Sequence, residues 1–331
     1  MNIEYVPFTQ AMIPQASLLL AQRHQRNRLQ LPEMPARFEQ PQVAAKAIET
    51  LLAKKNSGGF AALRDGRLSA YLLGEATVQP WARCGYVYLP GYALAEKEDP
   101  QLLQDLYALL GEQWNRKGYF SHYAYICAAD GGVKEAWFNL GFGKERVDAL
   151  LDLRSANIPE LESPAGVEIR RVGKQDGGLL AGLSDTIWRH QSRAPRWHPT
   201  MPDDIEKQVA GWVEIASTES DLAYLAMENG QALGSLGFFV EEELDDDMTI
   251  TPRCRYMTIA ATVAAARGRG IGTALAWHGL KQAREHGAEY CLTNWQSANL
   301  LAARFWPRFG FVPVAFRLAR VINPAIAWAI G

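Results

Sequence analysis

The chain of 331 residues has little cysteine, no excess of charge of either sign and no long apolar run. Each shortage excludes something. Its four cysteines, Cys84, Cys127, Cys254 and Cys291, lie far apart without a C-x-x-C pair. That spacing argues against a zinc site and against a disulfide framework, so no metal is expected and a reducing cytoplasm is the simplest compartment. Lys and Arg total 34 against 36 Asp and Glu, a formal net charge of -2. A nucleic-acid partner would normally leave a basic excess. No apolar run approaches the roughly 20 residues that span a bilayer. The opening MNIEYVPFTQ has no basic run followed by an apolar core, as a secretory leader would. The expectation is a cytoplasmic protein with neither a membrane nor a nucleic-acid partner. What is present is globular composition, 48% hydrophobic and 21% charged, in a length that suggests about two domains.

An internal echo supports two domains. Asn139-Leu140-Gly141-Phe142 reappears as Arg308-Phe309-Gly310-Phe311, and the same offset places Trp137 on Trp306 and Gly118 on Gly287. A slightly shorter offset places Gly66 on Gly230 and Glu4 on Glu168. Matches that stay in order along the whole chain are the signature of a repeated unit. In the second half, strands are expected at 166–172, 222–228, 232–242, 255–263, 288–293 and 311–321. Helices are expected at 175–190, 203–217, 270–286 and 297–309. The turn Glu228-Asn229-Gly230-Gln231 is a hairpin signal. The first half repeats the order, with helices near 10–25, 42–54, 99–117 and 132–139. The stretch around Leu153–Gly166 lacks periodicity and reads as a linker. The boundaries are therefore 1–153 for the first domain, 154–165 for the linker and 166–331 for the second domain, each a mixed α/β sheet with helices.

The most informative segment is Val263-Ala264-Ala265-Ala266-Arg267-Gly268-Arg269-Gly270-Ile271-Gly272-Thr273. It follows an expected strand and opens an expected helix. Glycines at alternate positions permit a sharp turn and close approach of a ligand to the backbone. The first amides of a helix have no internal acceptor, and the dipole places partial positive charge there, which suits a phosphate. Arg267 and Arg269 add directional donors. No lysine follows, as a P-loop requires, and the glycine spacing is not G-x-G-x-x-G.

The R-x-x-G-x-G pattern at Arg267, Gly270 and Gly272 resembles the acyl-CoA pyrophosphate motif of the GCN5-related N-acetyltransferase (GNAT) superfamily. Downstream, Asn299, Ala302, Phe305, Trp306, Gly310 and Phe311 resemble that family's later N-x-x-A-x-x-x-Y-x-x-x-G-F motif. The first half carries no such turn. There, Arg267–Gly272 falls on Glu98-Asp99-Pro100-Gln101-Leu102-Leu103, with two carboxylates where phosphates would go. The chain thus resembles a tandem-GNAT protein with a degenerate first domain and a CoA-binding second one.

The resemblance implies transfer of an acyl group from acetyl-CoA directly to an amine, here a primary amine of a small molecule. It implies a central β-bulge that splays two strands, with backbone donors near Ala261, Thr262 and Val263 polarising the thioester. It implies that Arg267, Gly268, Arg269, Gly270, Ile271, Gly272, Thr273 and Asn299 contact CoA. Glu241 and Glu243 are candidate bases, on one face of a strand end. With Glu242 and Asp245–Asp247, they also read as a solvated hairpin tip. His190 and His198 are alternatives. The family's acid is often a Tyr where this chain has Trp306, so Tyr256 or water would have to protonate the thiolate. Trp306 also leaves open a CoA-binding sensor without transfer, and a peptide or protein amine is a further acceptor class. The tandem pair would act as a monomer or form a homodimer.

Overall fold

Asn229 and Gly230 take φ values of 50° and 78°, and Asp65 and Gly66 take 50° and 76°. Both pairs adopt the left-handed backbone that tight hairpins need, at equivalent places in the two halves. Around these turns the computed structural model, which describes residues 3–160, 162–218 and 220–329, builds a mixed sheet flanked by helices in each of two units.

The first unit holds residues up to Asp148 together with Glu243–Ile250 and Pro313 onward. Its elements in the first half are β1 (Ile3–Pro7), α1 (Ile13–Arg28), α2 (Pro41–Ala53), β2 (Ser57–Arg64), β3 (Arg67–Gln79), β4 (Ala82–Val87), β5 (Tyr92–Leu94), α3 (Gln101–Arg116), β6 (Ser121–Cys127) and α4 (Gly131–Asn139). Strands β1 to β4 run antiparallel in sequence, and β6 lies parallel to β4. Trp114, Tyr107, Leu106 and Trp137 belong to one of its core clusters. The chain passes to the second unit along β7 (Gly143–Asp152).

The second unit contains β8 (Glu168–Arg171), α5 (Gly177–Gln191), α6 (Pro202–Ile215), β9 (Leu222–Glu228), β10 (Gln231–Val240), β11 (Cys254–Thr262), α7 (Ile271–Glu285), β12 (Tyr290–Gln296) and α8 (Leu300–Phe305). Strands β8 to β11 are antiparallel neighbours in order, and β12 runs parallel to β11. Leu180 and Leu183 of α5 pack with Leu225, Ile259 and Ala261 of the sheet.

Two sequence expectations change. The last strand, β13 (Val312–Val321), does not close the second unit's sheet. It pairs antiparallel with β6 of the first unit, from Ala315↔Cys127 to Val321↔Ser121. Leu318, fully buried, and Phe316 belong to that unit's core cluster, which explains where the strand goes. The expected helix 297–309 is also shorter. It begins after Asn299 and stops at Phe305, and Trp306–Phe309 form a 3-10 turn. Pro307 has no amide to donate and its ring obstructs an α-helical path.

Candidate functional site

The site grows from a defect in β11. Strands β10 and β11 pair as Ser235↔Ala261 and then as Gly237↔Thr258, so Ile259 and Ala260 together oppose Leu236. This is a β-bulge, and it turns the strand locally. Ile259 takes φ 48°, a left-handed conformation that a β-branched residue adopts only under constraint. Two neighbours supply that constraint. The Ser235 hydroxyl donates to the Ile259 carbonyl at 2.9 Å. At Gly237 a Cβ would stand 2.9 Å from Ile259 Cγ1, so only glycine leaves room for the displaced side chain.

Just ahead of the bulge, β11 and β12 part. Their parallel ladder runs from Cys254↔Tyr290 to Tyr256↔Leu292, whereas the strands continue to Thr262 and Gln296. The Thr293 hydroxyl donates to the Met257 carbonyl at 3.1 Å, at the point of divergence. The result is a wedge with one edge formed by the backbone from Thr258 to Thr262. An extended amide-bearing chain could pair with that edge, and its amides could polarise a carbonyl placed against them.

At the open end of the wedge lies the glycine turn. Val263 donates to the Leu233 carbonyl at 2.9 Å, Ala264–Ala266 make one 3-10 turn, and Arg267 is extended. Gly268 and Gly270 have φ 80° and 79°, and Gly270 is the N-cap of α7. Any other residue at either position would cost about 1–2 kcal/mol. Ile271 and Leu275, each 1% exposed, anchor the helix to the core. The amides of Ile271, Gly272 and Thr273 therefore begin a helix that is fixed in place and have no intrahelical acceptor. A Cβ on Gly272 would meet Thr262 Oγ1 at 3.5 Å and Phe305 Cζ at 3.6 Å, so strand end, turn and α8 converge here.

The two arginines differ. Arg267 donates from Nε to the Thr262 carbonyl at 3.3 Å and has no carboxylate partner among the described residues. Arg269 instead grips Glu228 with both terminal nitrogens, and holds its carboxyl below the usual range. Arg269 thus ties the turn to the β9–β10 hairpin, and Arg267 is the cation left for an anion.

Other expected site residues fall in several places. Asn299 caps α8, its Oδ1 accepting from the Ala302 amide at 3.3 Å, and the same oxygen bonds His190 Nε2 at 3.1 Å. Tyr256, at the last paired position of the β11–β12 ladder, accepts from Asn294 Nδ2. Glu241 lies just past the end of β10, its amide 3.4 Å from the Cys254 carbonyl. Glu243 is elsewhere: it belongs to the first unit and pairs with Arg37 at 3.4 Å. Asp246 pairs with Lys54 at 2.7 Å, and Asp247 accepts from the Thr249 amide and hydroxyl. Two members of the acidic run, Glu243 and Asp246, are therefore pinned to the first unit's cations. His198 is exposed in the α5–α6 connection, its amide donating to the Gln191 carbonyl. Trp306 is 6% exposed, edge-on to Phe305 and Phe311, in a packing position. Ile259, Ser235 and Gly237 were not singled out from sequence. The signal available was a pair of glycines, Gly234 and Gly237, inside one strand.

The corresponding start of α3 in the first unit is closed. Glu98 forms a bidentate pair with Arg64 at 2.8 and 2.7 Å, and Asp99 Oδ1 accepts from the Gln101 amide at 2.9 Å. Leu102 and Leu103 are buried. Among the described residues, no cluster of His, Cys, Asp and Glu is placed to hold a metal ion, and no helix is long and apolar enough to cross a membrane.

Comparison with known proteins agrees with this geometry. Residues 184–311 match the Acetyltransferase (GNAT) family. The mycothiol acetyltransferase of Nocardia farcinica (strain IFM 10152) is 26% identical over 180 residues, 52% of this chain and 54% of that protein. The chain therefore spans about half the length of that curated relative. A GCN5-related N-acetyltransferase from Sphaerobacter thermophilus superposes with a TM-score of 0.60 at 16% identity, covering 97% of this chain and 96% of the other. A tandem GNAT protein from the clavulanic acid biosynthesis pathway, solved without AcCoA, superposes with a TM-score of 0.53 at 14% identity, over 98% and 99%. At these identities the structural likenesses speak for the fold, which is that of two GNAT units in tandem.

Proposed function

We propose that this chain, whose residues 184–311 belong to the acetyltransferase (GNAT) family, transfers the acetyl group of acetyl-CoA to a primary amine of a small molecule. The observation that carries the reading is the junction of wedge and turn: the bulge at Ile259 parts β11 from β12, and Gly268 and Gly270 set a bare helix start at the open end. The amides of 271–273 and the Arg267 guanidinium hold the diphosphate. The β11 edge pairs with the pantetheine arm and draws electron density from the thioester oxygen, an effect worth a few kcal/mol in the transition state. The amine must reach the carbonyl carbon unprotonated. For an alkyl amine with a pKa near 10.4, deprotonation at pH 7 costs about 4 kcal/mol, so a nearby base is needed. Glu241 stands opposite Cys254, at the closed end of the β11–β12 ladder, so it could serve the amine only from that side. Tyr256 can return a proton to the departing thiolate, and a thiol pKa near 8.5 makes unassisted departure feasible too.

The first unit does not bind CoA in this manner, because Glu98, Asp99 and two buried leucines occupy the equivalent helix start. The four free, buried cysteines suit a reducing cytoplasm. Trp306, at the place of the family's usual Tyr, supports a second reading, a sensor that binds acyl-CoA without transfer. Calorimetry with acetyl-CoA and thiol release across a panel of small amines and peptides separate the readings. Saturable heat with turnover on a small amine is the expected result. Heat without turnover selects the sensor, turnover on peptides alone selects a protein acceptor, and the absence of heat removes all three.

A further inference from the structure

The wedge is bridged by a histidine whose ring is held in one tautomer. Helix α5 packs on the face of β10 and β11 that carries Ile259 and Ala261, through Leu180 and Leu183, with Ile187 against the same cluster. His190 follows Ile187 by three residues, so it points to nearly the same side about 4.5 Å farther along the helix. There its Nε2 meets Asn299 Oδ1 at 3.1 Å. Asn299 caps α8 three residues beyond the end of β12, on the other side of the gap. The contact therefore runs from the β11 side to the β12 side at the end where the strands stand apart and the glycine turn begins.

The hydrogen-bond inventory fixes the proton. Asn299 Oδ1 already accepts from the Ala302 amide, which an NH2 group could not do, so the atom facing His190 is the carbonyl oxygen. A carbonyl oxygen only accepts, so His190 donates from Nε2. In the neutral ring the lone pair is then on Nδ1, to which no hydrogen bond runs among the described residues. The charges closest along its own helix are self-satisfied, Arg189 pairing with Asp185 at 2.7 Å.

Building on the transferase reading, we propose that His190, oriented by Asn299, is the general base that takes the proton from the acceptor amine. The amine nitrogen gives a proton to His190 Nδ1, directly or through one water, as its lone pair forms the C–N bond to the acetyl carbon. The C–S bond breaks, the thiolate leaves with its electron pair, and the imidazolium passes its proton to sulfur, directly or through solvent. The ring is neutral again at the end, and the products are an amide and free CoA. Asn299 is a positioning residue that acts through the ring.

Nitrogen-15 NMR of the histidine rings in the full chain reads the tautomer. The expected result is a proton on Nε2 of His190 at neutral pH, and mixed tautomers in Asn299→Ala. A proton resting on Nδ1 in the unaltered chain overturns the assignment. Thiol release from acetyl-CoA is then followed with primary amines and with water alone. His190→Gln keeps a donor for Asn299 and lacks a base. It is expected to lower the fastest rate by at least about 100-fold and to leave only the pH dependence set by the amine's own ionisation, with acetyl-CoA affinity unchanged. A merely structural histidine would let Gln retain the rate and the unaltered chain's pH dependence, and that outcome overturns the proposal. Binding of acetyl-CoA with no thiol release to any acceptor overturns it as well. An absence of calorimetric heat in the unaltered chain removes the transferase reading beneath it, whereas heat and turnover that survive His190→Gln remove the base alone.

Discussion

Replacing Gly270 by Glu separates binding from folding at the turn. Gly270 sits at φ 79°, ψ 0°, where any side chain costs about 1–2 kcal/mol. There is room for one, since a Cβ would find only Pro164 Cγ, at 3.9 Å. A carboxylate at the N-cap of α7 also gains about 0.3–1 kcal/mol from the helix dipole. The net loss of stability is therefore about 1 kcal/mol, a fall in Tm of about 2–4 °C for a unit of this size. Binding suffers far more. One negative charge about 5 Å from a diphosphate of about two charges is repelled by about 2 kcal/mol in bulk water and about 7 kcal/mol at an effective dielectric of 20. Affinity for acetyl-CoA should drop at least about tenfold, and further still if the side chain fills the space of the phosphates. Gly270→Ala carries the strain without the charge and should lose only a few-fold. Gln101→Glu, which adds the same charge at the start of α3, should change nothing. Calorimetry with acetyl-CoA on the three variants, alongside thermal melts, decides. Normal binding by Gly270→Glu would refute the phosphate assignment, and equal losses from Gly270→Glu and Gln101→Glu would refute the closed first unit.

Glu243→Gln should leave thiol release within about twofold of the unaltered chain and cost about 0–1 kcal/mol in denaturant melts, because the Arg37 partner is partly exposed. A collapse in rate would show that Glu243 reaches the acceptor after all. Trp306→Ala should lower stability by about 3–5 kcal/mol, since the indole is buried among Phe305, Phe309 and Phe311. A melt unchanged within 1 °C, on the order of a few tenths of a kcal/mol, would show that it does not pack. Stability should also fall in acid for a definable reason. Burial lowers the His24 and His122 side chains to about 4, whereas the unfolded chain titrates near 6.5. Between those values the unfolded chain binds protons that the folded one refuses. The stability is therefore complete above about pH 6.5 and declines as pH falls toward 4, by about 3 kcal/mol for each histidine. Urea titrations from pH 7 to 4.5 should show this loss, and His122→Gln should reduce it; a flat profile would contradict the burial.

What the sequence disclosed, and what it hid, follows from how local each cause is. Gly268, Gly270, Gly230 and Gly66 all sit at positive φ, a demand that a single residue type announces by itself. Pro307 announced the early end of α8 in the same local way, although a longer helix is what the apolar spacing alone suggests. The acidic run behaved differently. Its composition reads equally as an exposed tip or a base, and only Arg37 and Lys54, some two hundred residues earlier in the chain, decide the matter. The same is true of β13, whose alternation marks a strand without naming the neighbour that β6 provides. The bulge is the most instructive case. Ile259 is a good strand former in a strand, so propensity argues against the left-handed conformation it adopts. The conformation exists because Ser235 holds its carbonyl and Gly237 vacates the space for its side chain, two residues that act across a ladder. That is where a functional distortion should be hardest to read. A strand that broke its own local rules through its own sequence would bend in the unfolded ensemble as well, whereas one bent by its partner is bent only when the sheet is complete. The wedge is therefore a property of the assembled second unit, and the glycine turn is a property of eleven consecutive residues. The turn could be found by inspection, the wedge only by folding the chain, and both are needed before an acyl carrier has anywhere to lie.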